Sequence, residues 1–588
     1  MSTRATGVQE WRDIPWPQVE RDVHTLQRRI YRASQRGDMT VVHRLQRLLM
    51  SSWSAKCLAV RRVTQDNQGK KTAGIDGVAA LEAEERLVLV ATLDLDAKPQ
   101  PTRRVWIPKP GTDEQRPLGI PTLSDRALQA LVKLALEPQW EAQFEPNSYG
   151  FRPGRSCHDA VEGIFESIKQ CPKYILDADI AKCFDRIDHK ALLDKINTFP
   201  QLRRIIKAWL EAGVLDGETL FPTEQGTPQG GVISPLLANI ALHGMEKMIQ
   251  TAFPETKKNG KVISRIPTLI RYADDFVVCH RDLEVVQQCQ AVVQEWLKGM
   301  GLELKPSKTR ITHTLHEHEG QTGFDFLGFH IRQYAVGKYH TGKDTVGRPL
   351  GFKTHIKPSK EKVLLHQRRL AQIVRRRRRV SQKALIHRLN PLIKGWCNYY
   401  QTVVSGATFQ KVDDVLYHLR RRWANRRHPN KGRQWIAKKY WHFPPWTFGC
   451  PDGPTLFKHG RTKILRHVKV RGDKSPFDGD WAYWAGRMGH YPGIRLWLGM
   501  LIRRQKGKCA FCGLHFMPGD LMEVHHRDGD HDHHKKSNLE ALHRHCHDQI
   551  HGRGSIKPKE CIHDKDWPFE EPYERESLTY GSEDQHVG

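Results

Sequence analysis

Apolar residues recur every three to four positions over residues 9–62, which places them on one face of a helix. These apolar residues form two sets. The first set is Val23, Leu26 and Ile30, and the second is Val41, Val42, Leu45, Leu48 and Leu49. Gly37 and Asp38 separate the sets, and such a pair favours a turn. The pattern therefore predicts two helices in an N-terminal helical extension over residues 1–62.

Residues 63–345 alternate short apolar runs with helical ones, which is typical of an α+β domain. In one run, residues 269–278, Asp274 and Asp275 lie between two apolar halves of strong β-propensity. This pattern predicts a buried β-hairpin with both acids at its turn.

A second apolar run, residues 174–184, contains Asp177 and Asp179. Residues two apart in a strand point to the same face. Three carboxylates from two strands suit nucleotidyl transfer, in which two Mg²⁺ ions about 4 Å apart hold the attacking and leaving oxygens. A solvated turn beside a surface strand is disfavoured, because unpaired acids in apolar strands are costly unless they bind a cation. Either Asp177 or Asp179 could be the third ligand.

A helical stretch begins at Ser359 and ends in five consecutive arginines. Five in a row would surround a helix, so we expect them to bind nucleic-acid phosphates rather than form a solvated face. They are Arg375, Arg376, Arg377, Arg378 and Arg379.

Aromatic and basic residues interleave between residues 389 and 427. They are Trp396, Tyr399 and Tyr400, with Lys394, Arg420, Arg421, Arg422, Arg426 and Arg427. Ring stacking combined with phosphate pairing is how proteins hold RNA. For Trp396 and Tyr399 a place in a helix–helix core is equally consistent, and the arginines would then bind RNA alone.

The composition narrows the class of protein. The 588 residues suffice for several domains, and a net charge of +29 requires a polyanionic partner. Residues 371–440 hold 18 Lys or Arg against Asp413 and Asp414, a net charge of +16.

No apolar run approaches the roughly 20 residues of a membrane span, and the start lacks the apolar core of a signal peptide. We therefore expect no membrane association.

Cysteine usage indicates a metal site. Of 12 cysteines only Cys509 and Cys512 are closely paired, and His543 and Cys546 form a second pair with the same spacing. Two such pairs suit tetrahedral Zn²⁺, whereas a redox Cys-x-x-Cys would leave the second pair unexplained. A reduced compartment fits better than a disulfide framework.

Several motifs occur in a diagnostic order. Arg-Pro-Leu-Gly-Ile-Pro spans residues 116–121, and Ser-Tyr-Gly-Phe-Arg-Pro-Gly-Arg spans 148–155. Asp-Ile-Ala-Lys-Cys-Phe begins at Asp179, Gln-Gly-Thr-Pro-Gln-Gly begins at Gln225, and Tyr-Ala-Asp-Asp spans 272–275. Gly-Leu-Glu-Leu-Lys-Pro-Ser-Lys at 301–308 and Phe-Leu-Gly-Phe at 326–329 follow. The chain thereby resembles, over nearly its whole length, the reverse transcriptases encoded within group II introns, which also act as maturases.

The resemblance implies a multidomain α+β architecture with right-hand polymerase fingers and palm over residues 63–345. It further implies an α-helical thumb, the maturase domain, over 346–430 and a DNA-binding region over 431–505, where the residues alone show only a basic, aromatic-rich segment. A small ββα-metal HNH endonuclease is expected over 506–555, and a C-terminal tail over 556–588.

Polymerase roles follow from the same resemblance. Asp179, Asp274 and Asp275 would hold two Mg²⁺ ions, and Asp179 is preferred to Asp177 because Phe184, five residues later, resembles the steric gate against a ribose 2′-hydroxyl. Lys109 and Arg116 would bind the nucleotide triphosphate, and Gln225 and Gly226 would lie against the template and the incoming base. Asp185 and Asp188 would have structural roles, such as capping the following helix.

The histidine-rich C-terminal segment resembles HNH nucleases. By that resemblance His525 and His547 bind a divalent ion, with His551 as a third ligand. His526 would be the general base that activates water, and Asn538 would orient the loop carrying it.

The expected protein is an RNA-dependent DNA polymerase that binds its group II intron RNA, promotes splicing, nicks target DNA and copies the intron from the nicked end with dNTPs. We expect it in a prokaryotic cytoplasm or an organelle of bacterial origin. A maturase with a vestigial polymerase is disfavoured by the intact acids. A defence or template-switching reverse transcriptase would lack the maturase and HNH segments, and Phe184 disfavours a viral RNA polymerase.

Overall fold

The computed structural model describes residues 10–67, 72–108, 115–258, 261–442, 446–451, 453–491, 494, 496–531 and 533–552. The described residues divide into two compact units. The first contains residues up to Lys362, Tyr399–Ser405 and the chain from Ile464 onward, and the second contains Val363–Asn398 and Gly406–Lys463.

The helices of the first unit up to residue 300 are α1 (Trp16–Gln35), α2 (Met39–Ser51), α3 (Trp53–Arg61), α4 (Ala83–Thr92), α5 (Leu123–Glu141), α6 (Cys157–Ile168), α7 (Cys183–Arg186), α8 (His189–Ile196), α9 (Pro200–Glu211), α10 (Ser234–Leu242), α11 (Met245–Ala252) and α12 (Leu283–Lys298). The strands up to residue 362 are β1 (Thr102–Pro108), β2 (Gln115–Ile120), β3 (Tyr174–Asp179), β4 (Val214–Asp216), β5 (Thr219–Phe221), β6 (Thr256–Lys258), β7 (Lys261–Ser264), β8 (Thr268–Tyr272), β9 (Asp275–His280), β10 (Arg310–His313), β11 (Phe324–Phe326), β12 (Phe329–Ala335) and β13 (Phe352–Pro358).

The predicted break between the first two helices is confirmed. Gly37 has φ +75°, and the Asp38 side chain accepts a hydrogen bond from the Val41 amide to cap α2. The helices do not form a separate layer, because Gln27 donates to the Leu134 carbonyl oxygen in α5. The N-terminal helices and α5 share one apolar core.

Three sheets organise the polymerase-like part. One has the strand order β2-β1-β4-β5, a second β10-β3-β9-β8, and a third β11-β12-β13. In the second sheet, β3 is antiparallel to both β9 and β10. Apolar side chains on this sheet, including Leu176, Phe276 and Val278, are fully buried in the main core. This sheet therefore forms a rigid base for the acids at its end.

The second unit is helical. Its elements are α13 (Lys360–Arg376), α14 (Gln382–Tyr400), α15 (Gly406–Arg427), α16 (Arg433–Tyr440), β14 (Trp441–His442) and β15 (Thr447–Phe448), with the first residues of α13 and the last of α14 in the first unit.

The arginine run does not surround a helix as predicted. Helix α13 ends at Arg376, so the last three arginines of the run lie beyond it. Trp423 Nε1 donates to the Arg377 carbonyl oxygen, and Arg427 donates to those of Arg378 and Val380. These side chains of α15 satisfy carbonyl groups that a longer helix would have used internally.

The predicted region 431–505 is divided between the two units after Lys463. The part from Ile464 belongs to the first unit, where His467 and Arg487 both hydrogen-bond to the buried carboxylate of Asp159 in α6. The remaining elements of this unit are α17 (Trp481–Met488), α18 (Leu496–Arg504), β16 (Met522–His526), β17 (Leu539–His543) and α19 (Arg544–Gly552).

The last three elements form an antiparallel hairpin followed by a helix, in the expected order. A small apolar core that includes Ile502, Phe516 and Leu542 lies beneath them. Across the described ranges of the chain, helices long and apolar enough to cross a membrane are absent.

Candidate active site and metal centres

The three polymerase-motif carboxylates converge at one end of the β10-β3-β9-β8 sheet. Strands β8 and β9 form the predicted hairpin, closed by the pair Tyr272 and Asp275. Asp274 lies in the turn after Ala273, whose φ is +57°. Asp179, the last residue of β3, is the cross-strand partner of Asp275. The strand pairing thus brings together acids that are far apart in sequence.

The electrostatics of this group favour a bound cation. Burial raises the pKa of Asp275 to about 7, and the charges of Asp274 and Asp179 act in the same direction. Burial also raises the pKa of Asp274, against which the positive charges of Lys308 and Arg116 act. Clustered carboxylates in a partly buried site are ionised most readily when a metal neutralises them. Oxygen ligands of this kind suit Mg²⁺.

Two basic residues that the sequence analysis did not single out contact the acids of β3. Lys308 Nζ lies 2.6 Å from Oδ2 of Asp179. Arg310 Nη2 lies 2.9 Å from Oδ2 of Asp177, which it pairs across β10 and β3. Asp177 therefore has a guanidinium partner of its own, while Asp179 faces the hairpin acids.

A buried arginine holds the turn of the acidic hairpin. Arg271 is fully buried, and its guanidinium donates to Asn239 Oδ1 at 3.1 Å, to the Ala273 carbonyl oxygen at 3.2 Å and to Ser148 Oγ at 2.8 Å. Gly150 packs on the same turn, because a Cβ there would lie 2.3 Å from the Ala273 nitrogen. The turn is thus supported by a hydrogen-bonded frame in which only glycine fits at position 150.

The proposed gate and the Gln225–Gly226 segment are adjacent. The Thr227 amide donates to the Phe184 carbonyl oxygen, and Gly226, with φ +86°, would place a Cβ 2.6 Å from the Asp185 carbonyl carbon. The Phe184 ring is half-buried and meets Phe151 edge to face at 6.0 Å. Gln225 is exposed and Arg116 lies on β2. Lys109 lies outside the described residues.

The two other acids of this segment have structural contacts. Asp188 caps α8 by accepting a hydrogen bond from the Ala191 amide at 2.7 Å, as expected. Asp185 does not cap α8, because it lies within α7, where its carboxylate accepts from the Gln229 amide group at 3.1 Å.

The predicted zinc ligands come together. The ligand atoms of Cys509, Cys512, His543 and Cys546 all lie within 4.8 Å of one another. His543 Nδ1 faces the thiols of Cys512 and Cys546, and its Nε2 lies 3.4 Å from the carboxylate of Asp520. A carboxylate on the second ring nitrogen is typical of metal-bound histidine. The donor set suits Zn²⁺, and Asp520 is a contact that the sequence analysis missed.

A second group of possible metal ligands lies on the hairpin and α19. The ligand atoms of His525, His547 and His551 lie within 4.8 Å of one another. His547 Nδ1 is 3.1 Å from Glu523, which also accepts from Arg544 at 2.8 Å. The three imidazoles, predicted from the sequence, could hold one divalent ion.

His526 points away from that group, because consecutive residues of a strand face opposite sides. Its Nε2 lies 3.1 Å from Nδ1 of His534, and burial lowers its pKa to about 4. Asn538 is buried and donates to Asp528 Oδ1 at 2.7 Å and to the His533 carbonyl oxygen at 2.8 Å. Asn538 thus braces the loop that begins beside His526.

A basic groove lies between α13 and α15 in the second unit. We use this name for the surface lined by Arg368, Arg375, Arg376, Arg378, Arg379, Arg422, Arg426 and Arg427. Carboxylates are absent from its lining in the part of the unit that the structure describes. Such a surface complements a phosphate backbone.

Other residues predicted to bind RNA lie elsewhere. Arg420 is only 5% exposed and its guanidinium packs over the Phe448 ring, so it is not part of the groove. Arg421 is partly buried, and Lys394 is exposed on α14. Trp396 stacks on His366 with ring centroids 4.4 Å apart, and Tyr399 stacks on Phe329 at 5.2 Å. The core alternative therefore holds for both aromatic residues.

Three known families match successive parts of the chain. Residues 11–93 match the N-terminal domain of reverse transcriptase, and residues 107–331 match reverse transcriptase (RNA-dependent DNA polymerase). Residues 364–441 match the group II intron, maturase-specific domain. The matched order is that of the predicted extension, polymerase and maturase segments.

The chain is similar in sequence to several known proteins. The chain is 33% identical over 327 residues to the group II intron-encoded protein LtrA of Lactococcus lactis subsp. cremoris, covering 45% of this chain and 53% of LtrA. It is 32% identical over 327 residues to protein YkfC of Escherichia coli K12, covering 49% of this chain and 83% of YkfC. A 91 kDa protein in a cob intron of Schizosaccharomyces pombe is 26% identical over 367 residues, covering 53% of this chain and 44% of that protein.

The aligned region spans about half the length of LtrA. The family matches nevertheless agree with the geometry of the carboxylates and with the helical second unit. The chain belongs to the group II intron-encoded proteins, which combine a reverse transcriptase with a maturase-specific domain.

Proposed function

We propose that this protein is an RNA-dependent DNA polymerase whose catalytic acids are Asp179, Asp274 and Asp275. The observation that carries the proposal is the cross-strand pairing of Asp179 with Asp275 beside a turn that contains Asp274. Two Mg²⁺ ions bound there would activate the primer 3′-hydroxyl and neutralise charge on the transferred phosphoryl group. Arg271 and Gly150 fix the turn, so that the protein supplies a preorganised site.

Selection of the substrate falls to residues around this site. Phe184 would exclude a ribose 2′-hydroxyl, and Gln225 with Gly226 would lie against the template and the incoming base. Arg116, whose charge acts on Asp274, would contact the dNTP triphosphate together with Lys109. The packing of Gly226 against the backbone next to Phe184 supports a common pocket for the gate and the base.

The basic groove would bind the intron RNA and so promote splicing. Binding energy directed to the folded ribozyme shifts the RNA population toward that state without any chemistry by the protein. Arg375, Arg376, Arg378 and Arg379 are exposed and line the groove, which supports this role. The match to a group II intron maturase-specific domain covers the same helices.

The C-terminal hairpin and helix would form an HNH endonuclease with a structural zinc ion held by Cys509, Cys512, His543 and Cys546. His525, His547 and His551 would hold the nuclease ion, and His526 would act as the general base. The nicked strand of the target DNA would then prime synthesis of DNA on the inserted intron, which is retrohoming by target-primed reverse transcription. The clustering of both ligand sets supports this assignment.

Primer extension on an RNA template tests the polymerase function. Purified full-length protein should extend a DNA primer annealed to intron RNA with dNTPs and Mg²⁺, and EDTA should stop the reaction. A parallel splicing assay with precursor RNA tests the maturase function. Splicing without extension would favour a maturase with a vestigial polymerase, and extension without any effect on splicing would favour a reverse transcriptase that serves no intron.

A further inference from the structure

The outer face of the β11-β12-β13 sheet is strongly basic. Its inner face is buried, with Phe329, Ile331 and Ile356 at most 6% exposed and Gln333 fully buried among them. The alternate residues of β12 and β13 point outward and are His330, Arg332, Tyr334, Lys353, His355 and Lys357. We call these six side chains the sheet face.

Cross-strand pairing concentrates the positive charge. Tyr334 is opposite Lys353, Arg332 is opposite His355, and His330 is opposite Lys357. The Arg332 guanidinium lies 4.9 Å and the Lys357 ammonium 5.1 Å from the centre of the Tyr334 ring. Burial together with the charges of Lys357 and Lys353 lowers the pKa of His355. Like charges are therefore gathered around one aromatic ring.

Carboxylates do not balance this charge. Asp325 pairs with His330 at 2.6 Å. In the described ranges of the chain, Arg332, Lys353 and Lys357 form no ion pair with an acid. The buried atoms Arg332 Nε and His355 Nδ1 have no hydrogen-bond partner in the same ranges. Arg332 and Lys357 have the Tyr334 ring but no carboxylate as partner, and an anion bound beside them would reduce their mutual repulsion.

The connection between β12 and β13 extends the same surface. Lys338 and Lys343 are exposed, and the ring of Tyr339 is 93% exposed. Hydrogen bonds from Val336 to Gly351 and from Gly342 to Phe352 hold this connection as a continuation of the hairpin. A fully exposed tyrosine beside lysines is suited to stacking on an unpaired base.

We propose that the sheet face is a nucleic-acid binding surface, separate from the basic groove, that takes the phosphodiester backbone of a single strand. Outward residues along one strand are about 6.7 Å apart and neighbouring strands about 4.8 Å apart, so the cations form a strip that can follow a backbone. Tyr339 at the end of the strip contacts a base of the same strand. The proposal rests on the proposed function for the identity of the polyanion.

The test compares two triple variants of the full-length protein. The first is Arg332→Gln with Lys353→Gln and Lys357→Gln. The matched control is Arg204→Gln with Lys207→Gln and Lys298→Gln, which removes three exposed cations that are each paired with a carboxylate. Both variants lose the same net charge. A double variant, Lys353→Gln with Lys357→Gln, keeps the partly buried Arg332 in case the triple variant unfolds.

Affinity is measured at several salt concentrations for a 30-nucleotide RNA, the same RNA annealed to a DNA primer, and a DNA duplex. Each lost phosphate contact lowers the slope of log K against log salt by about 0.7 to 0.9. The triple variant should lose about 2 from the slope for the single-stranded RNA and the double variant about 1.5, with the control unchanged. The primed RNA shows whether binding survives when part of the strand is paired, and the DNA duplex shows whether a double-stranded backbone binds the face.

The outcome that overturns the inference is a slope equal to that of the control for the single-stranded RNA, and a loss confined to the DNA duplex overturns it as well. A variant of the basic groove measured alongside separates the two proposals. If its slope falls while that of the sheet-face variant does not, only the sheet-face inference fails. If the wild-type slope is itself flat, the proposed RNA binding fails as well.

Discussion

Arg310 donates two hydrogen bonds to one carboxylate oxygen of Asp177, at 2.9 and 3.1 Å. Asp177 and Asp179 lie on the same face of β3, and of these two acids Arg310 contacts only Asp177. Asp177 is held by a guanidinium from β10, while Asp179, which Lys308 contacts at 2.6 Å, lies opposite Asp275 at the end of the sheet. The position opposite Asp275 supports Asp179 as the metal ligand, and the two hydrogen bonds from Arg310 support a structural role for Asp177.

Removal of the gate ring should relax sugar selectivity. Phe184→Ala should raise incorporation of ribonucleotides relative to deoxyribonucleotides by about tenfold or more, since relief of a clash worth about 1.4 kcal/mol changes a rate ratio tenfold. Single-nucleotide primer extension with each substrate measures the ratio. Phe221→Ala, which removes an exposed ring on β5, is the control. An unchanged ratio in Phe184→Ala would remove this residue from the role.

A methyl group at position 150 should displace the acidic turn. The added carbon of Gly150→Ala would lie 2.3 Å from the Ala273 nitrogen, so the hairpin must move. We expect primer extension to fall by about a hundredfold, since small misplacements of catalytic groups have effects of this size. Gly486→Ala in α17, with open space around it, should keep full activity. Equal activity of the two variants would show that the turn tolerates the shift.

Neutralising the groove arginines should weaken RNA binding in a salt-dependent way. The variant with glutamine at Arg375, Arg376, Arg378 and Arg379 should lose about 3 from the slope of log K against log salt, at about 0.7 to 0.9 per phosphate contact. Titrations with intron RNA at several salt concentrations measure this slope. If the slope is retained, these arginines form a solvated surface and the groove has another role.

Mutations of the zinc ligands and of the proposed general base in the C-terminal hairpin and helix should have different effects. Cys509→Ser should abolish zinc binding and unfold residues near 506–551, because a domain this small depends on its metal for stability. His526→Ala should keep zinc and fold but stop nicking of target DNA, because only the base that activates water is lost.

Both C-terminal variants should extend a supplied primer at the wild-type rate. Zinc per protein, strand nicking and primer extension on each variant distinguish these effects. Nicking at the wild-type rate by His526→Ala would contradict the assignment of the base, and zinc retained by Cys509→Ser would contradict the ligand set.

The sequence predicted those features that depend on residues close together in the chain. The helix break at Gly37 and Asp38 follows from turn preference, and the β8–β9 hairpin follows from apolar runs on both sides of two acids. The grouping of Cys509 with His543 could be predicted because paired ligands at fixed spacing suit one metal.

Contacts between distant residues escaped the sequence analysis. The end of α13 at Arg376 depends on hydrogen bonds from Trp423 and Arg427 in another helix. The division of region 431–505 depends on Asp159, which binds His467 and Arg487 more than 300 residues away. Neither contact leaves a periodic pattern or a motif in the chain.

The measurement that tests the central claim most directly is primer extension by Asp274→Asn with Asp275→Asn, assayed on one preparation together with binding and splicing of intron RNA. DNA synthesis should fall about a thousandfold or more, because loss of the metal site costs several kcal/mol of transition-state stabilisation. RNA binding and splicing should be retained, because the basic groove lies in the other unit. Extension at the wild-type rate, or equal loss of all three activities in a folded protein, would contradict the account.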